Sequence, residues 1–360
     1  MTIRQIDLTS AEAQRDWDLR AVDGPGGDVH QGSAWLAYRA SLGREAIALE
    51  VDGAPLGILV NRAALLGLPK GHVSRGPSVP WGASLVEAVA AIERIERAAT
   101  WLNHTCGLVA LDADPWLPAG EATEAAYRAA GLQKSEEVFP SQHTMLLRAS
   151  ANGVSESDLF EGITKTTRQR IALAERAGFK PERITHLTAT SERAELWSQV
   201  QKLLEATAQR KSFALGSSSA MIQWWDQLIA TERAELLALR GEQDGLVAFI
   251  VILRHGERIT TDASGDDPIA RRETPGALAL LRWTAIKIAA GERRMTDLGG
   301  VDVAGHRDLP SEGEPMHGLY THKASFGAVW TPMAGAHRLV LRPGALRIRT
   351  ALGRIRGLRT

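Results

Sequence analysis

Apolar positions follow two rhythms in turn. Near the start, Thr2 to Leu8 reads as extended chain, and Thr9 and Ser10 are cap-type residues before a helical stretch over Ala11–Ala21. After the loop Gly24-Pro25-Gly26-Gly27, Ser33 opens a short helix holding Trp35 and Tyr38. Arg44–Val51 and Leu56–Leu66 predict a strand pair about Asp52-Gly53, and Gly71–Arg75 a further strand stopped by Gly76-Pro77. Helical spacing of Leu85, Val89, Ile92 and Ile95 predicts a long helix over Ala83–His104. A buried-type strand over Gly107–Leu111, a helix over Ala122–Ala130 with Gly131 as its stop, and a strand over His143–Arg148 follow.

The small, polar run Ala149–Ser157 marks a domain boundary. Beyond it come a basic helix from Lys165 to Gly178 and helices over Glu192–Lys211 and Ser219–Ala230. Glu235–Arg240, Leu246–Leu253 and Arg258–Ala263 read as a three-stranded meander. Pro275-Gly276 opens a helix running to Ala290, and Arg294–Leu298 is a strand. This order repeats that of the first half: helix, a strand pair around Asp-Gly, a strand ending near glycine, a long helix, a last strand. The copies lie roughly 190 residues apart, far beyond solenoid periods, so a domain is duplicated. The prediction is an α/β (α+β) chain of two domains with mixed sheets. The first spans 1–150, with 328–360 packing back on it, and the second spans 151–327.

Composition adds exclusions. Of 360 residues, 44% are hydrophobic and 23% charged, and Lys+Arg and Asp+Glu are both 42, so nucleic-acid contact has to come from local patches. The single cysteine, Cys106, rules out an internal disulfide and is expected as a buried small residue. The first residues, MTIRQIDLTS, lack signal-peptide character and no apolar run is long enough to span a bilayer, so a cytoplasmic protein is expected. The ten histidines show no paired-ligand spacing, and His306, His317 and His322 give no persuasive metal site.

Candidate chemistry concentrates in Met295–Trp330. A strand ends in Asp297-Leu298-Gly299-Gly300, a polar loop follows, and apolar spacing returns in Leu319-Tyr320-Thr321-His322-Lys323 before Phe326-Gly327. A long irregular loop in a compact domain is more often functional than idle. Together with Gln31-Gly32-Ser33-Ala34-Trp35, Arg75-Gly76-Pro77 and the Lys165–Gly178 helix, this stretch resembles the Fem-type peptidyltransferases, which add amino acids from aminoacyl-tRNA to peptidoglycan precursors. The resemblance implies two tandem GNAT-like acyltransferase domains. The coiled-coil arm that some members insert is missing. It implies an aminoacyltransferase without a cofactor, with aminoacyl-tRNA as co-substrate and a UDP-linked or lipid-linked precursor as acceptor. Lys323 then sits at the reacting centre, bordered by Gly299, Gly300, Tyr320 and His322, where members often carry Phe in place of His322. Asp112, or its neighbour Asp114, matches the family aspartate. Arg75 and Gly76 border the substrate. Arg39 would hold precursor phosphates, with Arg210 standing in for a second base that the family places near Gly216. The basic helix and the tail, with Arg342, Arg347, Arg349, Arg354, Arg356 and Arg359 and no acid, are candidate contacts for tRNA, and the tail also for an anionic membrane.

Two other enzymes share these signals. One is an acyl-CoA-dependent GNAT N-acyltransferase, although Pro275 removes an N–H where a pyrophosphate loop needs one. The other is a tRNA-dependent amide-forming enzyme of a peptide natural-product pathway. A non-enzymatic reading keeps only RNA or membrane binding through the arginines.

Overall fold

The computed structural model describes residues 2–63, 66–136, 139, 141–211, 218–241, 245–273, 275–303 and 307–355, leaving aside the side chains at 207, 210–211, 270, 273 and 353–355. The chain divides into two units, Met1–Gln142 with Pro332–Thr360, and His143–Thr331.

In the first unit β1 (Ile3–Gln5), α1 (Ala11–Ala21) and α2 (Ser33–Ser41) precede the meander β2 (Glu45–Val51), β3 (Ala54–Arg62) and β4 (Pro69–Val73). Then come α3 (Leu85–Cys106), β5 (Ala110–Ala113), α4 (Glu121–Ala129) and β6 (Leu132–Lys134). In the second unit the order is β7 (Thr144–Leu147), α5 (Glu156–Glu161), α6 (Lys165–Arg176), β8 (Glu182–Ile184), α7 (Thr190–Lys211) and α8 (Ser218–Ala230). The meander β9 (Ala234–Arg240), β10 (Leu246–Arg254) and β11 (Arg258–Asp266) leads to α9 (Pro268–Glu273), α10 (Ala277–Gly291), β12 (Met295–Asp297), α11 (His317–Ala324) and β13 (Val329–Thr331). The chain then returns to the first unit with β14 (His337–Val340) and α12 (Pro343–Ile355).

Each unit holds a seven-stranded sheet, ordered β1-β2-β3-β4-β5-β14-β6 in the first and β8-β9-β10-β11-β12-β7-β13 in the second. The two orders correspond strand for strand. In both, the meander is antiparallel and its third strand pairs in parallel with the strand after the long helix: β4 with β5, and β11 with β12. This confirms the duplication read from the sequence. The first boundary falls at 142/143 and not at 150/151. The reason is β7, which hydrogen-bonds between β12 and β13 and so belongs to the second sheet. The return falls at 332 and not 328 because β13 is that sheet's outer strand.

Local signals explain the elements that position the sites. Ser84 and Glu87 form a reciprocal capping box that starts α3. Along α3, Ala88, Ala91, Ile92, Ile95, Ala98, Ala99 and Leu102 face the sheet, where Leu49, Ile58 and Leu111 join the same core. In the second unit α10 is buried on nearly every side, and Leu281 and Ile286 pack with Ile250 and Ile252 of β10. Each such side chain contributes about 1.5–3 kcal/mol by leaving water. The pairing of β10 with β11 slips beside Val251, where Ala263 is followed in register by Thr261. The extra residue, Asp262, accepts a hydrogen bond from the Trp225 indole at 2.9 Å, so the bulge re-aims its side chain. Trp224 and Trp225 are buried. In the region where some Fem-type proteins insert an arm, α7 packs on β10 and β11 and α8 on β9. Cys106 is only half-buried, its thiol donating to the Leu102 carbonyl at the end of α3.

Candidate functional site

The first candidate lies in the second unit. Asp297 ends β12, and one carboxylate oxygen accepts the backbone N–H of Gly299 at 2.8 Å and the hydroxyl of Thr144. This fixes the turn Gly299-Gly300. Gly299 has φ 75°, a conformation that a side chain would strain, and a Cβ there would stand 3.4 Å from the Lys323 ammonium nitrogen. The turn thus lets α11 bring Lys323 against backbone. Lys323 is 6% exposed, and its Nζ donates to the Gly300 carbonyl at 2.9 Å. A lysine so placed is no solvated helix residue. Tyr320 and His322 flank it on α11, half-buried, and the His322 ring meets Phe326 edge-on at 5.4 Å. The structure therefore brings Gly299, Gly300 and Lys323 into contact. Asp297 and Thr144 join this site beyond the residues that the sequence singles out; the Asp-Leu-Gly-Gly run is the signal that points to Asp297. Thr144 gave no signal, because it reaches the site only through the pairing of β7.

The second candidate lies in the first unit. Asp112 is buried on β5 and receives two parallel hydrogen bonds from Arg338, at 2.6 and 3.0 Å, and an ion pair from Lys70 at 2.8 Å. Burial pushes its carboxyl up, but Arg338 and Lys70 together hold it below the usual carboxylate range. Clamped this way, Asp112 is a poor proton acceptor. Asp114, its sequence rival, is fully buried and accepts the Arg75 backbone N–H at 2.9 Å. Between them His72 stays neutral, because burial lowers its pKa to about 3.

Arg39, Arg44, Lys70, Arg338 and Arg349, against the carboxylates of Asp112 and Glu136, line a cavity of about 220 Å³ in this unit. Burial and then the adjacent Arg44 push the Arg39 guanidinium below its ordinary value. The same two causes act on Arg349. Arg39 also stacks over Trp35 at 5.1 Å. Cations crowded in this way favour an anion in the cavity.

Arg75 stands over the Phe139 ring at 4.4 Å. Gly76 packs on the Gln31 side chain, whose amide donates to Ser74 at 2.6 Å and accepts from the Gly57 N–H at 2.8 Å. The Gln31–Trp35 and Arg75–Pro77 motifs are therefore one structural joint that sets Arg75. The Arg210 side chain and Gly216 lie outside the described residues, as does His306. Among the described residues no cluster of His, Cys, Asp or Glu could hold a metal, and no helix is long and apolar enough to cross a membrane.

Residues 163–308 match the family model described as an acetyltransferase (GNAT) domain. No curated protein matches the chain in sequence. Among solved structures, FemX is similar over 97% of this chain and 99% of its own, with TM-score 0.79 and 15% identity. L-PGS from Bacillus licheniformis is similar over 96% and 97%, with TM-score 0.54 and 13% identity. A conserved protein of unknown function from Bacteroides thetaiotaomicron VPI-5482 is similar over 94% and 100%, with TM-score 0.55 and 12% identity. The second unit thus carries a GNAT-type acyltransferase domain. The whole chain has the FemX fold, as the Fem-type resemblance in its sequence implied.

Proposed function

We propose that the protein is an aminoacyl-tRNA-dependent aminoacyltransferase of the Fem type, adding an amino acid to the stem-peptide amine of a peptidoglycan precursor. The observation that carries this reading is Lys323, a buried ammonium held by the Gly300 carbonyl against the Gly299-Gly300 turn in an acyltransferase fold. The reaction is aminolysis. The acceptor amine attacks the ester carbonyl, a C–N bond forms, the C–O bond to the tRNA ribose breaks, and the amine's proton ends on the ribose oxygen. The ester is already activated, so the enzyme's task is positioning and charge stabilisation. The Lys323 ammonium stabilises the tetrahedral oxyanion or the departing ribose oxygen. Asp297 positions it by holding the turn. The cationic cavity around Arg39 suits phosphates such as those of a UDP-linked precursor, and the exposed cations Lys165, Arg170 and Arg176 of α6 meet tRNA.

The match of residues 163–308 to a GNAT acetyltransferase model supports a second reading, acyl transfer from acyl-CoA. Against it, the Arg170 carbonyl of α6 lies 2.2 Å from where a Cβ on Gly276 would stand. The α6 backbone therefore fills the approach to the first turn of α10, the place a CoA pyrophosphate takes in GNAT enzymes, and Pro275 offers no N–H there. One assay separates the two. Purified protein is given labelled aminoacyl-tRNAs or labelled acetyl-CoA, with UDP-linked and lipid-linked precursors as acceptors. Label moving from an aminoacyl-tRNA to a precursor is the expected result. Label moving from acetyl-CoA alone replaces this reading with the second.

A further inference from the structure

One end of the first unit's sheet gathers five arginines and three exposed aliphatic side chains. Strand register defines that end. Glu45 opens β2 opposite Val60, Arg62 closes β3 opposite Pro69 at the start of β4, and Val340 closes β14 opposite Ala110 at the start of β5. Arg44 leads into it from α2, Arg128 from the last turn of α4, and Arg342 and Arg347 from the start of α12. The carboxylate at this end, Glu45, is already paired with Arg62 at 2.9 Å. Leu42, Leu66 and Ile348 stand 43%, 66% and 50% exposed beside these cations. Helix α12 is fixed here, because Arg349 donates to the Leu68 carbonyl and Arg342 reaches over Gly107. The other exposed aliphatics of the unit, Leu19, Leu85 and Val86, lie on α1 and in the first turn of α3, whose far end meets this surface.

We propose that this end of the first unit docks on a membrane surface carrying anionic lipid. Arginines at the rim attract the lipid headgroups, and Leu42, Leu66 and Ile348 enter the boundary between headgroups and acyl chains. RNA phosphates would take the arginines but give exposed leucine and isoleucine nothing to bury in. The proposal rests on none of the acyl-transfer chemistry, so it stands or falls separately from that reading.

The test is vesicle co-sedimentation of the full chain, with phosphatidylcholine vesicles compared with an equal mixture of phosphatidylcholine and phosphatidylglycerol. The parent is expected to partition to the anionic vesicles alone and to release in high salt. Replacing Arg342→Gln with Arg347→Gln should weaken partition roughly thirtyfold. Leu66→Ser with Ile348→Ser should weaken it by a similar factor, and both positions are exposed enough for the fold to tolerate the change, as circular dichroism would confirm. Parent-like partition of either folded variant overturns the proposal. So does a parent that ignores anionic vesicles but binds tRNA in a manner lost with the arginine pair, which would make the surface an RNA contact.

Discussion

The two units carry acids with different partners near the ends of their equivalent parallel strands, Asp112 on β5 and Asp297 on β12. In the first, the register places Arg338 of β14 directly opposite Asp112, and the acid is closed into an ion-pair clamp completed by Lys70. In the second, the corresponding strand β7 places Leu146 opposite Asp297; one carboxylate oxygen faces buried Arg258 of β11 at 3.8 Å, and the other accepts the Gly299 N–H and the Thr144 hydroxyl. Both acids face a cation of the adjacent parallel strand, Lys70 in one and Arg258 in the other. Only Asp112 is also gripped from the far side, by Arg338; with Leu146 in that place, Asp297 keeps an oxygen for the Gly299 N–H and so shapes the turn against which Lys323 lies.

The largest effect that would break this contrast is at Lys323. Lys323→Met should lower the turnover of aminoacyl transfer about a thousandfold while KM for the donor changes little, the pattern of a lost transition-state contact. Steady-state kinetics on the purified variant check it, and near-parental turnover would remove Lys323 from the mechanism. In the first unit the loss should fall on stability instead. Arg338→Met leaves Asp112 buried with Lys70 alone and should cost about 2 kcal/mol in urea unfolding, less than for a fully buried pair. The acid side of the stability profile sharpens the point. An unfolded aspartate takes its proton near pH 4, whereas the clamped Asp112 takes one only below that. Its contribution is complete above about pH 4 and is lost as pH falls through the lower folded value. The stability difference between the parent and Asp112→Asn should therefore be constant from neutral pH down to about 5 and shrink below about 4.

Much of this contrast was legible beforehand, and the missing parts share one cause. Asp-Gly turns, the helical spacing of α3 and the Pro275-Gly276 start before α10 are local, so the meanders and long helices follow from the sequence. Lys323 and Gly299-Gly300 stand in one short stretch and were found together. The clamp on Asp112 was invisible, because Arg338 lies 226 residues away and reaches it only by strand pairing. Thr144 was hidden in the same way, since β7 reads as a strand of the first half until its partners β12 and β13 are known. The packing of Gln31 was invisible too, because its amide joins Gly57 and Ser74 across 26 and 43 positions.

Asp297→Asn tests how far the second unit's acid acts through shape alone. The amide keeps an oxygen for the Gly299 N–H, so the turn should survive and transfer should fall only about fivefold. A loss matching that of Lys323→Met would mean that the charge of Asp297 itself takes part. The smallest effects belong to the exposed face of α6. Lys165→Gln and Arg170→Gln remove solvated charges that contact neither Lys323 nor its turn, so each should weaken aminoacyl-tRNA binding about threefold and lower the salt slope by about one ion. Turnover at saturating donor should stay at the parental value. If the α6 variants instead lowered turnover and left the salt slope unchanged, the helix would be supporting the Lys323 site through its packing, where Thr167 on α6 already donates to Ser325 beside α11 at 2.8 Å.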